Sequence, residues 1–270
     1  MNGATGVRHE QQRKGRLITF EGGEGSGKST QVKRLVTRLA GQGIETLATR
    51  EPGGSPGAER LREVILSGAV KPFGPEAEAL MFAAARIDHV EKTIMPALNE
   101  GCFVVCDRYI DSTRAYQGAS GAVSKAFVDA LEKAVTADAM PDLTFVLDLD
   151  VAEGLRRAGL RRADAATDRF EAEGTAFHEK VRQAFLAMAA SDPLRFVVID
   201  ASASPDEIEA AVWRAVASRL LSVRETTPPS PPKLKVIEGG ESGFEKPAAK
   251  PRNRTKHKDM PKKDTPKDTP

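Results

Sequence analysis

Between an apolar run and an amphipathic one, the chain carries Gly22-Gly23-Glu24-Gly25-Ser26-Gly27-Lys28-Ser29, and no other stretch restricts its fold so tightly. Leu17-Ile18-Thr19-Phe20 precedes it with the apolar character of a buried strand. Thr30 then opens a segment with Val32, Leu35, Val36 and Leu39 at helical spacing. Gly, four residues, then Gly-Lys-Ser, set between strand and helix, is the spacing of a phosphate-binding loop. Its glycines let successive N–H groups turn inward on phosphate oxygens, and the helix behind adds the positive end of its dipole. Lys28 then lies along the β- and γ-phosphates, and the Ser29 hydroxyl is a ligand for Mg²⁺. A glycine-rich turn with a capping serine is the plain alternative, but it gives no reason for the lysine beside that serine. The loop therefore points to a nucleoside triphosphate with magnesium, and the rest of the chain must say where the phosphate goes.

At 270 residues with 40% hydrophobic content, the chain has enough apolar material for an ordinary buried core. No apolar run approaches the roughly 18 to 20 residues that cross a bilayer, and the polar stretch from Met1 to Arg16 has no apolar centre, so a cytoplasmic address is expected. Cys102 and Cys106 share one strand-like run with no second pair nearby, which reads as two reduced, buried thiols rather than a disulfide or a zinc site. Charge is unevenly spread. The stretch from Val223 holds 12 Lys and Arg against 7 Asp and Glu, and the first 16 residues 4 against 1, which leaves the middle with 24 against 30. A mildly acidic core argues against a nucleic-acid surface on the folded part.

Strand and helix patterns alternate along the chain. Strands are expected at 17–20, 44–49, 102–106, 143–149 and 196–199. Helices are expected at 28–41, 58–66, 76–99 with a weak point at Pro96, 112–117, 124–136, 151–160, 175–190 and 205–221. This is the signature of a parallel α/β sheet of five strands with helices on both faces, which binds ligands at the carboxyl ends of its strands. Arg50, Asp107 and Arg108 fall at such ends, with the phosphate loop. Residues 1–15 read as a flexible leader and 16–222 as one domain. Residues 223–270, rich in Pro, Lys and Thr, read as a disordered basic tail.

Three stretches match one family. They are Phe20-Glu21-Gly22 through Lys28-Ser29-Thr30, then Thr49-Arg50-Glu51-Pro52-Gly53-Gly54, and Asp107-Arg108-Tyr109 followed by Ser112-Thr113 and Ala115-Tyr116-Gln117-Gly118. Together they resemble the bacterial thymidylate kinases, P-loop nucleoside monophosphate kinases that make dTDP from dTMP and ATP. The likeness runs from about Arg16 to Ser222.

The resemblance implies a role for each matching residue. Gly22 to Thr30 hold ATP, and Ser29 and Asp107 serve magnesium. Arg108, helped by Arg50, holds the acceptor's phosphate, and Pro52 and Ser112 are further substrate-binding residues. Phe82 stacks on the pyrimidine while Arg86 donates to its carbonyl edge. Thr113 and Gln117 contact the base, and Tyr116 packs under the sugar. Glu24 resembles the carboxylate that meets the deoxyribose 3′-hydroxyl. Some members put an arginine in the phosphate loop where this chain has none, so the catalytic cation is expected from a lid around 156–169, as Arg157, Arg161 or Arg162. Read without the family, Arg50, Asp107 and Arg108 are alternatively sheet-end ion-pair residues, Phe82 a core residue, and the lid arginines a solvated face. The family's members are homodimers, which implies the same here. A kinase of another nucleoside monophosphate or a deoxynucleoside is the alternative activity. A P-loop ATPase or switch protein fits less well, since the Asp-x-x-Gly and Asn-Lys-x-Asp patterns of GTP switches are missing.

Overall fold

The computed structural model describes residues 15–119, 123–136, 139–161, 170 and 173–221. Residues 1–14 of the expected leader, the expected tail and residues 162–169 of the expected lid lie outside the described residues. In chain order the strands are β1 Leu17–Glu21, β2 Thr46–Arg50, β3 Phe103–Asp107, β4 Leu143–Asp148 and β5 Phe196–Asp200. The helices are α1 Lys28–Gly41, α2 Pro56–Leu66, α3 Pro75–His89, α4 Met95–Asn99, α5 Ile110–Thr113, α6 Lys125–Thr136, α7 Val151–Arg161, α8 Thr175–Ser191 and α9 Pro205–Val216.

The five strands form one sheet in the order β2-β3-β1-β4-β5, with every pairing parallel. β1 is central and wholly buried; Ile18 and Phe20 make one face apolar, while Leu17 shares the other with Thr19, bonded to Thr144, and Glu21. Alternation along the strands divides the core. Ile18, Phe20, Val105, Phe145 and Leu147 face Leu35, Val36 and Leu39 of α1 and Val212 of α9. Leu17, Val104 and Cys106 face Ile94 and Leu98 on the other side, while Val146 meets Phe185 of α8. Each buried aliphatic side chain contributes about 1.5 to 3 kcal/mol relative to exposure. Cys102 and Cys106 are buried and free, as their spacing predicts.

Chain order reverses at β1, because the path runs out to β2, returns through β3 and then crosses to β4. The crevice therefore opens at the carboxyl ends of β1 and β3. Register puts Phe20 and Arg50 both opposite Asp107, so the phosphate loop, Arg50 and the Asp107-Arg108 turn leave the sheet at one level.

Three expected helices depart from regular form. The long helix over 76–99 keeps one path but widens into a π turn at Val90–Ile94, a turn before the expected weak point. Pro96 has no N–H to close the preceding turn, and the backbone accommodates the missing donor upstream of the proline itself. The segment after Asp107 is α5 followed by a π turn at Arg114–Ala119, a form frequent at functional sites, and α9 likewise ends in a π turn at Ala217–Leu221.

Candidate active site

The phosphate loop leaves β1 at Gly22, whose φ of 133° excludes an ordinary side chain. A Cβ at Gly25 would run into the carbonyl of Gly154 in α7, and a Cβ at Gly154 would meet the carbonyl of Glu24. Two glycines distant in sequence thus let the loop and the first turn of α7 pack backbone to backbone. Ser26 ties the loop internally through its hydroxyl to the Gly23 carbonyl at 2.9 Å, and the N–H of Thr30 donates to Gly27. Lys28 is buried, donating to the carbonyls of Gly22 at 3.1 Å and Gly23 at 2.7 Å. Burial, then the neighbouring Arg108, bring its ammonium down to about 8.

On the adjacent strand end, Asp107 accepts from the Ser29 hydroxyl at 2.5 Å. A hydroxyl and a carboxylate side by side are the hard oxygen donors that suit Mg²⁺. Among the described residues no group of three or more His, Cys, Asp or Glu can hold a metal, so an ion at this pair would draw its remaining ligands from phosphate and water.

Arg108 is the only non-glycine residue with positive φ among the described residues, at 64°. That conformation costs about 1 to 3 kcal/mol and persists where surrounding bonds enforce it. Glu21 supplies two of them. Its fully buried carboxyl accepts the Tyr109 N–H at 2.8 Å and the Ser112 hydroxyl at 2.6 Å, bracketing the turn. Burial and the charge of Asp111 push Glu21 up to about 8. The turn aims the Arg108 guanidinium back across the crevice, where it meets Glu24 of the phosphate loop at 2.5 Å and the Gly22 carbonyl at 3.2 Å. Its plane lies 5.0 Å over the Tyr116 ring. Burial alone would raise Glu24, but the cations Arg108 and Lys28, with a 3.0 Å bond from the Tyr116 hydroxyl, hold its carboxyl at about 2. Desolvation drives the Tyr116 phenol well above its ordinary value.

One cleft is lined by Glu24, Lys28, Ser29, Asp107 and Arg108 at one end, with Arg50 and Pro52 beside them. Phe82, Arg86, Ser112, Thr113, Tyr116 and Gln117 also line it. Arg50 is half exposed and paired with Glu59 at 3.1 Å. Arg86 is fully inside, with Thr113 accepting one of its bonds at 3.1 Å. The Phe82 ring stands 5.9 Å from that of Phe170, and Phe170 contacts Tyr116 edge-on at 5.6 Å.

The lid arginines divide. Arg157 lies beside Gly25, but it donates to Glu153 at 2.6 Å and to the Ala201 carbonyl at 3.0 Å and does not line the cleft. Arg161 ends α7, and Arg162 lies outside the described residues.

Four further residues shape the cleft without having been singled out by the sequence. Glu21 carries a fully buried carboxyl at the end of β1, while Glu51, also buried, lines the cleft with Arg62 and Phe170. A charged residue closing an apolar strand was a usable signal for Glu21. Glu51 lies in the matching Thr49 to Gly54 stretch, but nothing local gives it, Arg62 or Phe170 a place in the cleft.

A family model described as thymidylate kinase matches residues 20–212. The chain is 54% identical over 208 residues to a thymidylate kinase of Bradyrhizobium diazoefficiens, covering 77% of this chain and 91% of that protein. It is 56% identical over 209 residues to one of Afipia carboxidovorans, covering 77% and 92%. A crystal structure of thymidylate kinase from Ehrlichia chaffeensis aligns with a TM-score of 0.60 at 30% identity, covering 75% of this chain and 98% of that one.

Proposed function

The chain belongs to the thymidylate kinase family, and on that premise we propose that this cleft phosphorylates dTMP to dTDP by direct in-line transfer from ATP. The observation that carries the reading is the Arg108–Glu24 contact, which joins the phosphate loop to the turn at the end of β3. Reactants that are both polyanions repel, and the transition state spreads negative charge over equatorial oxygens, so cations are needed on both sides. Lys28 and the loop N–H groups face the donor, and Arg108 with Arg50 faces the acceptor phosphate. Gly22 to Thr30 wrap the triphosphate. Glu24 and Tyr116 meet the deoxyribose, Phe82 stacks on the base, and Arg86, Thr113 and Gln117 read its polar edge, with Pro52 and Ser112 completing the wall. Ser29 and Asp107 would hold Mg²⁺, which supplies neutralisation of the β- and γ-oxygens when bound. A lid cation drawn from Arg157, Arg161 and Arg162 neutralises the transferring group as the site closes and excludes water.

Offering dTMP, dUMP, dCMP, dGMP and UMP with ATP tests the assignment, and turnover of UMP comparable to dTMP would sink it. Running the panel beside Arg157→Ala, Arg161→Ala and Arg162→Ala identifies the lid catalyst, whose loss is expected to cost about 10³-fold or more in kcat. If none of the three lowers kcat, the lid assignment is wrong.

We also infer a homodimer. Leu80 and Ile87 lie two turns apart on one face of α3 and are 50% and 41% exposed, an apolar stripe that a second copy would cover. No helix among the described residues is long and apolar enough to cross a membrane, and a cytoplasmic site of action is the companion proposal. Residues 16–222 are taken as the catalytic domain, with 1–15 a leader, 156–169 the lid and 223–270 a solvated extension. The acidic core gives no reason to propose a nucleic-acid partner.

A further inference from the structure

Arg86 sits in an unusual setting for a side chain that must face a ligand. It is 2% exposed, and two of its three guanidinium nitrogens are fixed. Nε donates to Glu51 Oε2 at 2.8 Å, and Nη2 donates to the Tyr109 carbonyl at 3.2 Å and to Thr113 Oγ1 at 3.1 Å. Nη1 has no hydrogen bond to a described residue, and Arg86 forms part of the cleft wall. A guanidinium is planar and rigid, so pinning two nitrogens sets the direction of the third.

Glu51 is itself held. It is 5% exposed, and its second oxygen, Oε1, lies 3.0 Å from Nδ1 of the fully buried His89, whose Nε2 lies 2.7 Å from the Thr49 hydroxyl. An acceptor-only carboxylate requires Nδ1 to carry the proton and donate. Gly54, at φ 85°, passes against this chain where a Cβ would collide with both His89 and Thr49. The chain Thr49, His89, Glu51, Arg86, Thr113 thus runs from the end of β2 through α3 to α5, and it accounts for residues of the Arg-Glu-Pro-Gly-Gly stretch that touch no phosphate.

We infer that Glu51, seated by His89, is a specificity-positioning residue: by immobilising the Arg86 guanidinium it makes the cleft select a pyrimidine with an acceptor oxygen at ring position 4 over one with an amino group there. This rests on the reading that Arg86 faces the acceptor base. A guanidinium has only donors, so a 4-carbonyl satisfies Nη1, whereas a 4-amino group sets donor against donor and leaves both unpaired. A loose arginine would swing away and tolerate the amino group. A pinned one rejects it, which is discrimination by an enforced mismatch.

The test measures kcat/KM for dTMP, dUMP and dCMP, with thermal unfolding, on wild type, Glu51→Gln, Arg86→Lys, the double variant and His89→Leu. Glu51→Gln is expected to lower the dTMP to dCMP ratio about tenfold or more, chiefly through KM for dTMP. The dTMP and dUMP values should fall together while dCMP holds or rises, whereas general damage to the fold would lower all three alike. In the Arg86→Lys background the glutamine should change the ratio no further, because Glu51 acts through Arg86. His89→Leu removes the donor to Glu51 but keeps the ion pair, and a smaller loss in the same direction is expected. It decides the matter if Glu51→Gln does not fold. The inference is overturned if the ratio stays within about twofold in Glu51→Gln, or in His89→Leu where the first is unfolded, or if the effect adds in full to that of Arg86→Lys. An Arg86→Lys ratio equal to wild type would instead remove the premise that Arg86 faces the base, and the inference with it.

Discussion

Replacing Glu24 by Gln removes the charge through which the phosphate loop holds Arg108, while keeping the side chain's shape. The structure sets the size of the effect in two ways. Glu24 is held at about 2 against an ordinary 4.5, a difference equivalent to about 3 kcal/mol of stabilisation of the charged form. Independently, removing one partner of a buried pair costs about 3 to 5 kcal/mol, and the partial exposure of Arg108 and Glu24, 17% and 15%, favours the lower end. For a domain of about 200 residues, 3 kcal/mol lowers Tm by about 6 to 12 °C. The pH dependence carries the sharper signature. A carboxyl whose folded value lies below its unfolded one contributes stability that is complete above the unfolded value and is lost as pH falls through the folded one. The gap in Tm between wild type and Glu24→Gln should therefore be full at pH 7 and narrow from about pH 4.5 towards about pH 2. With Arg108 untethered, kcat/KM for dTMP is expected to fall about 10²-fold at pH 7. Thermal unfolding followed by circular dichroism at pH 7, 4 and 3 provides the assay. An unchanged Tm at pH 7, or a gap that does not move with pH, would refute the reasoning.

The remaining expectations concern the metal, the surface and the chain ends. Ser29→Ala and Asp107→Asn should each raise the Mg²⁺ concentration for half-maximal rate about tenfold or more while leaving KM for dTMP nearly unchanged, and a magnesium titration equal to wild type would remove the pair from the metal site. Leu80→Asp combined with Ile87→Asp should convert a dimer to a monomer in sedimentation, and a dimer surviving both charges would place the interface elsewhere. Ending the chain after Ser222 should leave kcat/KM for dTMP within about twofold, and a large loss would bring the basic extension into the active enzyme.

The strands were legible because a covered parallel strand must be apolar on both faces, and Phe103 to Cys106 or Leu143 to Leu147 have few other uses. The phosphate loop and the strand ends followed, since their chemistry is set by residues adjacent in sequence. What escaped has the opposite character. Glu51 reaches Arg86 and His89 across 35 and 38 residues, and a glutamate before a proline in a glycine-rich loop reads locally as solvated. The Gly25 and Gly154 contact depends on α7 returning to the phosphate loop, and no periodicity reports which glycine a distant backbone will approach. The wide turn at Val90–Ile94, one turn ahead of the expected weak point at Pro96, has a simpler cause. Proline marks where a helix loses a donor, but the backbone distributes the adjustment over the preceding turn.

One cleft is expected to bring a triphosphate and a deoxypyrimidine monophosphate together for direct transfer. A quenched single-turnover experiment with γ-labelled ATP, enzyme in excess and dTMP present or absent tests it most directly. Label should pass to dTMP with one dTDP formed per ADP, the protein should acquire no label, and little ADP should form without dTMP. ADP released at the same rate without dTMP, or label trapped on the protein before it reaches the nucleotide, would contradict it.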